Sequence, residues 1–298
     1  MYKYIITIVL SASFLVSTNV KADVVTMFIN EDASVFSPYH YRLRYGSGFG
    51  AINQREGVHF ASVDVHSSTG TETQHLFCAG ANIAGNANLW GKGQEFTAVV
   101  LGDIHQNIPQ ASPLNADKIN DIQTLFNHVY NPLLAAQDYL ADLRVKDPWT
   151  SQSATQQAYG DLAIMNTALQ FALWEIIHES EGNWNITMGN VRLDDPRYSA
   201  GASDVPGFAS PTAAYNEIVG LTSSWFDSIQ TGIWAEAFAQ EYFYELTFYY
   251  TAPNYNTSQP LISVTGMYDP NVVPEPATLA LLGLGLAGLG LARARRKK

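Results

Sequence analysis

Alternating apolar and polar positions predict β-structure in the first third of the chain. Residues 59–66 place a small or apolar side chain at every second position, and a Ser-Ser-Thr-Gly turn then leads to Gln74–Cys78. A period of two is the spacing of a strand that buries one face. We therefore expect two neighbouring strands here.

The pattern changes to helical spacing after Asn115. An apolar face is formed by residues three or four positions apart, namely Ile119, Ile122, Leu125, Phe126, Val129 and Tyr130. Pro132 lacks an amide hydrogen and interrupts helices, and the pattern resumes over Leu133–Val145, so we predict a helical hairpin. Further helices are expected at Tyr159–Ser180 and Thr212–Ile229.

Aromatic and β-branched residues return at Glu241–Thr251, which predicts a late strand. The order strands, helices, strands indicates an α+β domain: a β-sandwich or barrel with a helical insertion, its first and last strands in one sheet. We assign this single domain to residues 23–264. Asn, Pro and Gly collect afterwards, and residues 265–273 are interpreted as a short stem.

The amino terminus has the pattern of an export signal. Lys3 precedes the apolar stretch Tyr4–Val16, and Val20-Lys21-Ala22 supplies small residues where signal peptidase cleaves. We predict a signal peptide at residues 1–22 and a mature chain that starts near Asp23.

The carboxyl terminus combines three features in a fixed order. The box Pro274-Glu275-Pro276 precedes an uncharged apolar stretch, residues 277–292, and a basic cluster ends the chain: Arg293, Arg295, Arg296, Lys297 and Lys298. Sixteen helical residues rise about 24 Å, which is short of the roughly 30 Å hydrocarbon core of a bilayer. We expect an under-length transmembrane helix with its basic end in the cytoplasm.

Residues 274–298 resemble the PEP-CTERM sorting signal of Gram-negative bacteria, through the sequence Val-Pro-Glu-Pro-Ala-Thr, the Gly/Leu-rich stretch and the arginine-rich end. The resemblance implies processing at the box by an exosortase. It also implies a tether in the inner membrane, followed by delivery to the cell surface or extracellular matrix. A lone tail anchor is the alternative, but it does not predict the box at that position.

Removing both ends makes the remaining body strongly acidic. Of 16 Lys and Arg residues, two lie in the predicted signal and five in the tail, which takes one of the 27 acidic residues with it. The body keeps nine basic and 26 acidic residues, a formal net charge of −17. Such a surface repels nucleic acid, so we expect no nucleic-acid partner.

The chain has one cysteine, Cys78. Exported proteins meet an oxidising compartment in which thiols normally pair, and one cysteine permits no intramolecular disulfide. Four interpretations remain: an inert core residue, an intermolecular disulfide, a metal ligand, or a thioester with a glutamine. Free cysteine behaves as a small hydrophobic residue, which favours the interpretation as an inert core residue.

A buried amide favours the thioester. Gln170 lies in the middle of an apolar helical pattern, where an unsatisfied amide is costly. If its carbonyl carbon were bonded to the Cys78 sulfur, the unusual amide and the solitary thiol would be explained together.

Phe77-Cys78 and the segment Gln170-Phe171-Ala172-Leu173-Trp174 resemble the thioester (TQXA-type) domains of bacterial surface adhesins. In that family a strand-borne Cys is joined to a Gln in a Gln-x-Ala-hydrophobic-Trp helix. The resemblance implies a Cys78–Gln170 thioester, shielded by Phe77, Phe171 and Trp174. An amine or hydroxyl of a surface or polysaccharide target would attack it and become covalently attached.

These expectations define a single-use reagent and not an enzyme, with no cofactor and no metal site. Glu175-x-x-His178 has the spacing of a di-iron ligand pair, but its second copy, Glu72-x-x-His75, lies in a β-like segment. We also assign no relay role to His75 or His178. The rival functions are a non-covalent structural or carbohydrate-binding matrix protein and, less favoured, a polysaccharide hydrolase that uses paired acids such as Glu175 and Glu179.

Overall fold

A computed structural model describes residues 23–29, 40–45, 54–57, 61–79, 94–101, 114–146, 154–179, 184–189, 191–193, 207–234, 243–250 and 260–268. These contain nine strands: β1 (Asp23–Ile29), β2 (His40–Tyr45), β3 (Gln54–Gly57), β4 (Ala61–Ser67), β5 (Gly70–Cys78), β6 (Gln94–Val100), β7 (Val191–Leu193), β8 (Phe243–Tyr250) and β9 (Leu261–Tyr268). The three helices are α1 (Ala116–Lys146), α2 (Ala154–His178) and α3 (Pro211–Gln230).

Six of the strands close into an antiparallel barrel in the order β1-β4-β5-β9-β8-β6. All three helices lie between β6 and β8 in the sequence. The prediction of an α+β protein whose barrel carries a helical insertion is confirmed. A smaller antiparallel sheet has the order β3-β2-β7.

Side chains alternate between the two faces of each barrel strand, and the two faces contribute to different hydrophobic cores. One face of each strand fills the lumen, with Val25, Met27, Val65, Leu76, Phe96, Tyr249 and Leu261. The other face of β5, β8 and β9 packs against the helices through residues such as Phe77, Phe248 and Ile262. Because α2 is packed by α1, α3 and β7, it is buried almost all round.

The predicted helical hairpin at Pro132 is wrong, because α1 is one 31-residue helix with this proline inside it. A proline removes one intrahelical hydrogen bond and costs about 3 kcal/mol in a helix interior. Packing on both sides of the proline offsets that cost, since Val129, Leu133 and Leu140 are all buried in the helical core.

The last barrel strand reaches beyond the predicted domain boundary. β9 runs to Tyr268 and pairs with both β5 and β8, so it includes residues that the sequence assigned to the stem. Within the ranges given above, no helix is long and apolar enough to cross a membrane. The predicted signal peptide, residues 1–22, and the predicted transmembrane helix, residues 277–292, lie outside the described residues.

Candidate functional site at the end of strand β5

The side chain of Gln170 is hydrogen-bonded to the main chain of Cys78 through both of its polar atoms. The Cys78 amide N–H donates to Gln170 Oε1 at 2.9 Å, and Gln170 Nε2 donates to the Cys78 carbonyl oxygen at 2.6 Å. The two residues are 92 positions apart in sequence. The structure therefore joins the two predicted thioester residues through an intact amide and a main-chain peptide.

Among the described residues, β5 extends past its neighbour β4 at this end. β4 begins at Ala61, which lies opposite Leu76, whereas on the other side β9 continues to pair at Cys78. Main-chain groups point to alternate sides along a strand, so the N–H and C=O of Cys78 face the side where β4 has begun only at Leu76. The Gln170 amide takes the place of the next peptide group of a neighbouring strand.

Because Gln170 is buried, its hydrogen bonds to the Cys78 main chain are energetically important. Gln170 is 0% exposed in the middle of α2, where an unpaired amide would cost about 1–3 kcal/mol. Its bonds to Cys78 satisfy the amide and the strand at the same time. The unusual buried glutamine seen in the sequence thus has a structural partner.

The Cys78 side chain lies at the boundary of the two cores. By strand alternation it shares a face with the lumen residue Leu76, opposite to Phe77. Cys78 is half-buried and packs against both hydrophobic cores at one end of the barrel. Cys78 is therefore neither fully buried nor exposed.

The three predicted shielding residues are all buried, on two different elements. Phe77 packs edge-on against Phe126 of α1, with ring centroids 5.1 Å apart. Phe171 and Trp174 pack against each other on α2, edge to face at 5.2 Å. Each has the exposure of a core residue, and all three belong to the same hydrophobic core.

His75 occupies the face of β5 that packs on α1. Its Nδ1 lies 2.9 Å from the Tyr130 hydroxyl, and burial lowers its pKa, which favours the neutral ring. The neighbouring outward residue, Phe77, contacts the same tyrosine. His75 and Cys78 are on opposite faces of the strand, so His75 is placed to hold α1 rather than to act on the thiol.

A cluster of ionisable groups surrounds the carboxyl-terminal end of α2. Glu175 Oε1 accepts the Asn185 N–H at 2.7 Å, and Oε2 is buried without a hydrogen-bond partner among the described residues. Burial raises the pKa of Glu175 to about 9, with a smaller contribution from Glu179. The Lys118 ammonium donates to the Ile177 carbonyl at 2.8 Å, beside these acids.

Gly189 permits this crowding. Its φ of +104° suits glycine, and a Cβ there would lie 2.5 Å from Glu179 Oε1 and 3.3 Å from Glu175 Oε1. The described residues contain no group of three His, Cys, Asp or Glu side chains that could hold a metal ion.

A second set of amides binds a barrel strand in a similar way. Asn127 Oδ1 accepts the Tyr244 N–H at 3.0 Å, and Gln123 Nε2 donates to the Tyr244 carbonyl at 2.7 Å. Asn131, one turn further along α1, accepts the Tyr244 hydroxyl. We call this the Tyr244 clamp and the Gln170 pairing the Cys78 clamp.

The comparisons with known proteins identify the end of the chain. Residues 272–297 match the PEP-CTERM protein-sorting motif. This match supports an exported protein whose precursor is associated with a membrane and is processed by an exosortase. No curated protein and no solved structure gave a significant match to the chain.

The matched motif contains the predicted sorting residues Pro274, Glu275, Pro276, Arg293, Arg295 and Arg296. Sequence reasoning missed the Tyr244 clamp. Gln123, Asn127 and Asn131 recur every four residues, a spacing that marks one helical face.

Proposed function

We propose that this exosortase-sorted protein attaches covalently to an extracellular target through a thioester between Cys78 and Gln170. The observation that supports this most directly is the Cys78 clamp, which binds the main chain of the only cysteine in the sequence to a buried carboxamide. Export supplies the setting, because targets with amines and hydroxyls are abundant on cell surfaces and in matrix polysaccharide.

The clamp geometry suits formation of the bond. The Cys78 thiolate attacks the Gln170 side-chain carbonyl carbon, and the developing negative charge falls on Oε1. The Cys78 N–H, 2.9 Å from Oε1, is placed to stabilise that oxyanion. The C–N bond then breaks, and Nε2 leaves as ammonia with the proton that the thiol gave up.

In attachment to the target, the Cys78 sulfur is the leaving group and no longer the attacking group. An amine or hydroxyl of the target attacks the same carbonyl carbon, and the C–S bond breaks. Cys78 leaves as a thiolate and recovers a proton from the attacking group, which ends as an amide or ester of residue 170. A thiolate is a better leaving group than an amide nitrogen, so the thioester stores usable free energy.

Intact-mass measurement of the exported, purified protein tests this proposal. The thioester form is lighter by one ammonia than the sequence mass after signal removal. Methylamine would add its own mass at Gln170 and release one thiol that a maleimide can label. Peptide mapping then places the methylamide on residue 170.

Two variants serve as matched controls. Cys78→Ser keeps the size of the side chain and should abolish both the mass deficit and the methylamine adduct. Gln123→Ala removes an amide of the Tyr244 clamp and should leave both intact. Full sequence mass with one titratable thiol before any treatment, in folded protein, would refute the thioester.

A non-covalent structural or carbohydrate-binding matrix protein is the second candidate. The Tyr244 clamp favours it, because there a helix binds strand main chain through amides with no thiol nearby. In that case the Cys78 clamp would serve packing alone. Irreversible attachment of Cys78→Ala protein to cells would show that attachment does not need the thioester.

A further inference from the structure

Three residues about one turn apart place polar side chains along one stripe of α2. Asn166, Gln170 and Trp174 are spaced by four residues, so each lies about 40° around the helix axis and about 6 Å along it from the next. All three are buried, and Asn166 and Trp174 are only 3% and 2% exposed. We call these residues the α2 stripe. Gln170, whose side chain binds the Cys78 main chain, lies at its centre.

The two outer residues of the α2 stripe hold buried polar atoms that have no hydrogen-bond partner among the described residues. These atoms are Asn166 Oδ1, which accepts hydrogen bonds, and Trp174 Nε1, which donates them. Buried polar atoms are normally paired. Thr167, for example, donates to the Ala163 carbonyl oxygen at 2.7 Å. An acceptor and a donor without partners therefore lie one turn before and one turn after Gln170.

The Trp174 ring extends towards the turn that contains Gln170. Long side chains of a helix lean towards its amino terminus, over the preceding turn. The Trp174 ring follows this rule, because it packs edge to face against Phe171, the residue directly after Gln170, with ring centroids 5.2 Å apart. By the same rule, the Gln170 side chain leans towards the turn of Asn166. Helix geometry thus gathers the unpaired groups around the Gln170 carboxamide.

The attack of an amine on the proposed thioester creates one charge of each sign at residue 170. When the amine nitrogen bonds to the carbonyl carbon, an electron pair moves to Oε1, and the nitrogen, which keeps its protons, becomes positive. The oxyanion needs hydrogen-bond donors, of which the Cys78 N–H is one. The charged nitrogen needs an acceptor. The α2 stripe supplies one unpaired group of each kind.

We propose that Trp174 Nε1 donates to the oxyanion and that Asn166 Oδ1 accepts an N–H of the attacking group, which is a primary amine. This inference rests on the proposed thioester. An amide oxygen is an acceptor but not a base, so it suits an amine, which attacks with its protons in place, better than a hydroxyl, which needs a base.

The intermediate then collapses to products. The C–S bond breaks, its electron pair goes to the Cys78 sulfur, and a proton passes from the nitrogen to that thiolate, which leaves an amide of residue 170. Cys78 is partly exposed, which gives a small amine a route to the bond. Groups that gain a hydrogen bond only in the intermediate stabilise it relative to the resting protein and accelerate the reaction.

The rate of methylamine incorporation into the exported, purified protein tests the proposal, followed by intact mass with glycerol as the hydroxyl compound. Trp174→Phe keeps an aromatic ring and deletes the N–H, and the reaction should slow about tenfold or more. Asn166→Leu keeps a similar shape, deletes the acceptor and should also slow it. The matched control is Trp184→Phe, which deletes another buried indole N–H without a partner among the described residues, outside α2, and should react at the unmodified rate.

Thermal unfolding would verify that each variant is folded, and Asn166→Leu decides the question if Trp174→Phe does not fold. An unchanged rate in folded Trp174→Phe would overturn the role of the indole, and so would equal slowing in Trp184→Phe. Glycerol reacting as fast as methylamine would reject the amine as the acceptor.

The mass before treatment separates this proposal from the one on which it rests. Full sequence mass in the unmodified protein would refute the thioester itself. Full mass in Trp174→Phe alone, beside an ammonia-deficient unmodified protein and Trp184→Phe control, would support the proposal, because formation of the thioester passes through the same oxyanion.

Discussion

The two clamps both bind the main chain of a barrel strand to helix amides, but they differ in one chemical respect. In each, helix amides bind both the N–H and the C=O of one barrel residue, Cys78 through α2 and Tyr244 through α1. The Cys78 clamp uses one glutamine for both bonds, whereas the Tyr244 clamp divides them between Gln123 and Asn127. Only the first holds a residue with a thiol, so the same arrangement of amide and main chain offers a candidate for thioester formation at Cys78 and not at Tyr244.

This comparison also separates what packing requires from what chemistry would require. Helix amides are enough to bind the main chain of a strand residue, as the Tyr244 clamp shows. A thioester would also require a thiol beside the amide carbonyl carbon, and of the two clamped residues only Cys78 carries a thiol. The following changes break one clamp or its surroundings while leaving the other in place.

The largest effect is expected from pH at the end of α2, five residues beyond the Cys78 clamp. The pKa of Glu175 is raised to about 9 in the folded protein, so the folded state keeps a proton that the unfolded state loses near pH 4.5. The free energy of unfolding should therefore fall as pH rises between these values, by at most about 1.4 kcal/mol per pH unit. Glu175→Gln should remove this part of the slope, measured by urea denaturation from pH 5 to 9.

Glu217→Gln on α3 is the matched control, because Glu217 is exposed and the same charge is removed. Its unfolding curve should keep the slope of the unmodified protein. An unchanged slope in Glu175→Gln would mean that Glu175 is ionised in the folded protein.

Breaking the Cys78 clamp should give the next largest effect. Gln170→Ala leaves the Cys78 N–H and C=O without their partner and opens space in a buried helix, which should lower the free energy of unfolding by about 3 kcal/mol. Chemical denaturation in a reducing buffer measures this. A loss below that of Asn127→Ala would show that the Cys78 clamp contributes less to stability than the Tyr244 clamp.

Asn127→Ala breaks half of the Tyr244 clamp. It removes the acceptor of the Tyr244 N–H, but Gln123 keeps its bond to the carbonyl, so we expect a loss of about 2 kcal/mol. The same denaturation experiment measures it. The methylamine adduct at Gln170 should be unaffected, and its disappearance would indicate that the two clamps are coupled.

Tyr244→Phe should have the smallest effect. It deletes only the hydroxyl that donates to Asn131 and keeps the ring packed against Tyr130, so the expected loss is about 1 kcal/mol. Thermal unfolding should show a correspondingly small shift. A loss as large as that of Asn127→Ala would show that the hydroxyl contributes as much to stability as the main-chain hydrogen bond does.

The sequence predicted elements whose pattern is local and periodic. The apolar face of α1, the apolar stretch of α2 and the aromatic β8 all appear near their predicted positions. Gln170 and Cys78 could be singled out because each is unusual in its own surroundings. Their pairing depends on where β4 begins opposite β5, which no local pattern specifies.

The remaining features depend on tertiary contacts. Pro132 predicts a break, but burial on both sides keeps α1 continuous. β9 was assigned in part to a stem because Gly266 and nearby polar residues weaken its pattern, and its two neighbours stabilise it as a strand.

The position of β9 between β5 and β8 sets an order of events during export. The barrel cannot close until residue 268 is available, and only residues 269–276 separate it from the apolar stretch that begins at Ala277. Contacts between distant parts of a chain form late because the intervening loop must first be closed. Residues 23–268 must therefore be available together before the barrel can close, and only three residues separate the end of its final strand from the sorting motif, which begins at residue 272.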